Sequence, residues 1–108
     1  MDEQEFKTRS NDALDALYRK LSAASEQHEF EPDFNAGALS IEFEDPKARF
    51  VVSPNSPVRQ IWVSAHSKSF KLDWKPDKNA FVLPDTGETL DELIASAVSR
   101  QVGDEVTL

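Results

Sequence analysis

The chain has 108 residues, of which 39% are hydrophobic, and its 20 acids against 12 bases leave a net charge of −8. A chain of this length removes roughly 65% of its unfolded surface from water on folding, enough for one core and one domain. The charge repels phosphate backbones and anionic membranes, so nucleic acid and membrane are set aside as partners, and cations or basic protein surfaces are favoured.

Seven Phe, two Trp and one Tyr argue for a folded chain, because disordered segments are poor in aromatics. There is no cysteine, which excludes disulfides, thiolate metal sites and a Cys nucleophile. The acidic N-terminus has no apolar core of a signal peptide, and no apolar run approaches the ~20 residues of a membrane span. The expectation is a cytoplasmic protein.

In chain order, Asp2 is placed to cap a helix with Glu5 at its third position. Phe6, Ser10, Ala13, Leu14, Leu17, Leu21 and Ala24 recur at three- and four-residue steps and predict an amphipathic helix over about 3–26. His28 to Phe34 follows, with acids at 29, 31 and 33 on one side and Phe30 and Phe34 on the other. Pro32 has no N–H to give to a ladder, which marks an edge position. Asn35-Ala36-Gly37 is a turn signal, and Ala38 to Glu44 alternates with Leu39, Ile41 and Phe43 inward. Asp45-Pro46-Lys47 turns the chain into a strand at Arg49–Val52, and Ser53-Pro54-Asn55-Ser56-Pro57 reads as a loop.

A strand over about 58–65 comes next, with Ile61, Val63 and Ala65 on one face and Gln60, Trp62, Ser64 and His66 on the other. Phe70, Leu72 and Trp74 share one side of a fifth strand, and Phe81–Leu83 is a short sixth. Thr89 and Glu92 form a capping box for a second helix over about 90–102, with Asp91 and Glu92 in its first turn, Arg100 near its last, and Gly103 beyond. Val106 and Leu108 can fold back onto the helices. Helix, strands and helix joined by short turns predict an α+β two-layer sandwich. Both helices cover one face of an antiparallel sheet of about six strands, and the other face stays open.

On that open face Trp62 is the anomaly. It either caps a minor cluster of neighbouring side chains or anchors a partner, since Trp is enriched at binding hot spots. Asn55, Arg59, Gln60 and Ser64 are the polar residues around it and complete a candidate partner-binding patch.

Asn55-Ser56-Pro57-Val58-Arg59-Gln60-Ile61-Trp62-Val63-Ser64 resembles the Asn-x-x-x-x-Gln-Ile/Val-Trp-Leu-Ser/Ala segment of the frataxins. Phe70-Lys71-Leu72-Asp73-Trp74 is similar to the aromatic/Asp strand that follows it there. Asn35-Ala36-Gly37-Ala38-Leu39-Ser40-Ile41 is similar to that family's Gly-Val-Leu-Thr hairpin, and Gly87-Glu88-Thr89-Leu90-Asp91-Glu92-Leu93 to the start of its last helix. The resemblance runs from Phe6 to Val106 and points to the bacterial, CyaY-like branch. It implies an accessory protein of iron–sulfur cluster assembly that binds iron (Fe2+ or Fe3+) weakly. It also implies docking on the cysteine desulfurase–scaffold complex through the surface around Trp62, Asn55 and Gln60, adjustment of sulfur transfer there, and a monomer in the absence of metal.

The metal-binding candidates are Asp12, Asp15, Glu26, Glu29, Glu31 and Asp33, with Glu42 and Glu44 able to add ligands. Carboxylates suit hard cations. Successive acids on one strand face stand about 6.6 Å apart, too far for one rigid cage, so the expectation is several shallow, water-rich sites. The same charges also serve simply as a solvated face, and Asp15–Arg19 and Glu5–Arg9 are helix-supporting pairs. The second half of the first helix holds Tyr18, Arg19, Ser22 and Ala23, with Lys20 beside them, where bacterial frataxins carry further acids. Iron binding is therefore expected to be weaker and centred on 26–33. His28 is a possible further ligand, and His66 is expected in a turn near the docking face. No catalytic residue is assigned. The competing readings are a metal-independent acidic module that inhibits a basic partner, and a ferroxidase-like enzyme.

Overall fold

Every apolar stripe read from the sequence ends up under a partner layer. The computed structural model describes residues 1–44 and 46–108; Asp45, in the turn expected at 45–47, lies outside the described residues. Helix α1 spans Glu3–Ala24, strands β1 Glu31–Asn35, β2 Ala38–Glu44, β3 Lys47–Asn55, β4 Gln60–Ala65, β5 Lys68–Lys75 and β6 Ala80–Val82 follow, and α2 spans Leu90–Val102. The strands pair antiparallel in the sheet order β1-β2-β3-β4-β5-β6. Among the described residues, no helix is long and apolar enough to cross a membrane.

Local chemistry sets the element ends. The Asp2 carboxylate accepts the Glu5 backbone N–H at 2.7 Å and caps α1. The return bond of a capping box is replaced, because the Glu5 carboxylate is taken by Arg9 at 3.0 Å. At α2 the box is complete: Thr89 and Glu92 each accept the other's backbone N–H. Gly103 closes that helix at φ 72, in the left-handed region where a Cβ is costly. Between β1 and β2 the two residues Ala36 and Gly37, at φ 54 and φ 80, make the tight turn.

Several expected boundaries move, two of them beside Trp62. Ser53–Asn55 belong to β3 rather than to a loop, with Pro54 opposite Ile61. The β2 ladder stops at Val52, so beyond it one flank of β3 is unpaired and tolerates a residue without N–H. Strand β4 starts at Gln60, not 58, because Ser56–Val58 form a 3-10 turn closed by Arg59 at φ 54.

Phe6, Leu14, Leu17 and Leu21 of α1 and Leu90, Leu93, Ile94, Ala97 and Val98 of α2 pack with Leu39, Ile41, Phe43, Phe50, Val52, Ile61, Val63 and Leu72 of the sheet in one buried cluster. Each fully buried Leu, Ile or Phe contributes about 1.5–3 kcal/mol. Ser10, the one polar side chain in the buried set of described residues, donates to the Lys7 carbonyl at 3.3 Å. Val106 is buried after α2, pinned by hydrogen bonds in both directions with the Ser99 hydroxyl.

Candidate functional site

The pleat of β4 explains the tryptophan. Ile61, Val63 and Ala65 point into the core and are at most 2% exposed, so Trp62 stands on the uncovered face, 38% exposed. The register then decides its neighbours: β4 opposes β5 with Gln60 facing Asp73 and Trp62 facing Lys71. The indole Nε1–H donates to Gln60 Oε1 at 3.0 Å, and Gln60 Nε2–H donates to Asp73 Oδ1 at 3.0 Å. The Lys71 ammonium lies 5.0 Å from the centre of the indole ring, within cation–π range. The indole is thus exposed and yet held by its neighbours.

The remaining patch candidates divide. Asn55 is opposite Gln60, at the end of β3, and Ser64 is exposed two residues beyond Trp62 on the same face. Arg59 is held elsewhere: its left-handed backbone turns it to the strand end, where its guanidinium donates to the Ser56 carbonyl. There it lines a cleft at the border of the patch with Met1, Glu5, Arg9, Val58, Asp73, Trp74 and Pro76.

The acids at 29, 31 and 33 lie along the sheet edge formed by β1. Glu31 and Asp33 are exposed on β1, the edge strand, and Glu29 is exposed in the segment before it. Glu31 faces Glu42 directly across the ladder, and Glu42 faces Arg49, whose Nε is 3.9 Å from its carboxylate. Asp15 is tied to Arg19 at 3.1 Å. Glu26 and Glu29 border a shallow cleft that also includes His28 and Asp104, where His28 Nδ1 is 3.9 Å from the Asp104 carboxylate. Asp12 is exposed on α1, beside Arg9 in a separate cleft. Among the described residues, no group of three or more His, Asp and Glu side chains comes together to hold a metal. The donor set suits a hard cation that keeps most of its water, not a resident chelated centre.

His66 is where the expectation fails. It does lie in a turn, but at φ 51 the backbone leaves the strand alternation. Its Nε2 is 3.0 Å from the Ala97 carbonyl of α2 and its ring packs 4.9 Å from Phe50. It therefore links sheet to helix on the covered side, away from Trp62.

The family model described as a frataxin-like domain matches residues 1–104. The chain belongs to the frataxin-like family. A protein of Azotobacter vinelandii named iron-sulfur cluster assembly protein CyaY is 28% identical over 100 residues, covering 91% of this chain and 90% of its own length. One of the same name from Tolumonas auensis is 30% identical over 76 residues, 70% of each chain. A solved structure of frataxin from Psychromonas ingrahamii superposes with a TM-score of 0.78 at 20% identity, covering 99% of this chain and 97% of that one, a likeness of fold.

Within this frataxin-like layout, the sequence reading missed Lys71 and Asp73 as parts of the Trp62 patch. The signal was present. A two-residue turn at His66-Ser67 brings Ala65 opposite Lys68, and counting outward places Lys71 beside Trp62 and Asp73 beside Gln60.

Proposed function

We propose that this protein is an accessory protein of iron–sulfur cluster assembly that docks, through the sheet face centred on Trp62, onto a cysteine desulfurase and its scaffold protein. The supporting observation is an exposed indole anchored by Gln60 and Lys71 on an otherwise polar strand face. A large side chain already held in place loses little freedom on binding, which suits a hot spot. Relatives of nearly the same length bear the name iron-sulfur cluster assembly protein, which supports reading the docking surface within that pathway. In this reading sulfur transfer is the desulfurase's chemistry; the frataxin-like chain adjusts its rate, works in the cytoplasm, and is a monomer without metal.

Iron is bound weakly in the same reading, by single carboxylates of Asp12, Asp15, Glu26, Glu29, Glu31 and Asp33 with water completing the shell. The spread of these residues along α1, the 26–29 segment and β1 supports low affinity and little selectivity.

The test is retention of the purified desulfurase–scaffold complex on immobilised protein. Wild type is expected to retain it and Trp62→Arg to lose it with an unchanged circular dichroism spectrum; equal retention by the variant overturns the docking surface. An iron titration followed by NMR is expected to broaden resonances at 12–15 and 26–33, and broadening elsewhere moves the metal sites.

A further inference from the structure

The hydrogen-bond chain beneath the indole has a direction. An indole N–H can only donate and a carboxylate can only accept, so a group between them must accept at one end and donate at the other. The Gln60 amide does this, taking the Trp62 N–H on Oε1 and giving its own N–H to Asp73 Oδ1, both at 3.0 Å. Flipped by 180°, the amide would set its NH2 against the indole N–H and its oxygen against a carboxylate, and both bonds would be lost. The Asp73 carboxylate therefore chooses which end of the amide meets the indole.

Strand register makes the arrangement rigid. Gln60 and Asp73 are directly opposed on β4 and β5, with Ile61 opposite Leu72 fully buried beneath them. Both relay residues are half-buried, where a hydrogen bond is less diluted by water than at full exposure.

We infer that Asp73 is a positioning residue for docking: acting through Gln60, it holds the Trp62 indole in the orientation that a partner meets. The ordering is then done in the free protein rather than at the moment of contact. The inference rests on the docking surface proposed above, and it assigns Asp73 a role without contact to the indole or the partner.

The experiment compares Asp73→Ala, Asp73→Asn and Gln60→Glu in the full chain with two readouts. The first is water exchange of the Trp62 indole N–H by NMR, its resonance assigned by its loss in Trp62→Phe. The second is the Kd for the desulfurase–scaffold complex. Asp73→Ala is expected to speed indole exchange and weaken docking about five-fold, the size of one lost hydrogen bond, with backbone resonances of Ile61, Val63 and Leu72 unmoved. Asp73→Asn keeps an acceptor but can also turn its NH2 to Gln60, and is expected to fall between wild type and Asp73→Ala in both. Gln60→Glu removes the donor, sets two carboxylates face to face, and is expected to lose at least as much as Asp73→Ala. Should Asp73→Ala fail to fold, Asp73→Leu, which fills the same space without an acceptor, carries the same contrast against Asp73→Asn.

Unchanged exchange and Kd in Asp73→Ala, or equal losses in Asp73→Asn and Asp73→Ala, overturn the relay. If wild type itself does not bind the complex, the docking surface is wrong, and the exchange rates alone then decide whether Asp73 orders the indole.

Discussion

The face around Trp62 and the acidic edge at 26–33 make contact with solvent in opposite ways. Around Trp62 the polar groups are committed: the indole to Gln60, Gln60 to Asp73, and Lys71 over the ring. Along the edge, the Glu29, Glu31 and Asp33 carboxylates are exposed, and Glu31 faces another acid, Glu42. In the proposed function, the first region acts through geometry, where a displaced atom matters, and the second through field, where the number of charges matters more than the place of each.

The largest expected effect separates the two faces of a single strand. Ile61→Ala, in the core, is expected to cost about 2–5 kcal/mol in urea unfolding. Trp62→Arg, one residue along, is expected to leave unfolding nearly unchanged and to weaken docking by about 2 kcal/mol or more, roughly thirty-fold, by calorimetry. If Trp62→Arg unfolds the protein as Ile61→Ala does, the indole belongs to the core and the contrast disappears.

How much of this was legible depended on which interactions were local. Helix α2 was readable over its full length because its capping box, apolar stripe and terminal glycine are all adjacent in sequence. The alternation of Ile61, Trp62 and Val63 placed the indole on the open face for the same reason. Pro54 reads as a loop residue in sequence alone, because only the fold shows that the ladder on that flank ends at Val52. His66 was misplaced because one left-handed residue breaks the period-two rule. The Asp73 relay needed the strand register, which follows from turn length rather than from composition. The acids were countable from the sequence, and the Asp15–Arg19 pair was legible as an i,i+4 spacing, but the facing of Glu31 with Glu42 and of Glu42 with Arg49 required the fold.

A smaller effect tests the field side of the comparison. Like charges directly opposed across an antiparallel pair are destabilising, and Glu31 stands opposite Glu42 on a chain of net charge −8. The triple variant Glu29→Gln, Glu31→Gln, Asp33→Asn is expected to raise stability by about 0.5 kcal/mol in urea and to weaken iron uptake in the NMR titration. The gain should shrink in high salt, since exposed charges are screened. Lower stability would show that these carboxylates are fixed in place as Gln60 and Asp73 are, and iron uptake equal to wild type would show that the metal sites lie elsewhere.

Glu92 supplies the reference acid, a carboxylate of the same kind that geometry does hold. Hydrogen bonds from the backbone and side chain of Thr89, with Lys78 nearby, lower its pKa below the ordinary value of 4.5. A carboxyl whose folded pKa is depressed contributes stability that is fully present above its unfolded pKa. That contribution is lost as pH falls through the folded value. Glu92→Gln keeps an oxygen for the Thr89 N–H but removes the charge at the start of α2, where the helix dipole favours it. The variant is therefore expected to be the less stable protein at pH 7, and the gap in urea midpoint should close below pH 4.5. The edge variant should show the opposite sign at pH 7, more stable than wild type, because its acids repel one another instead of being held. A gap for Glu92→Gln that is constant from neutral to acid pH would mean that charge plays no part in this cap, and would remove the distinction between acids held by geometry and acids that act through their field.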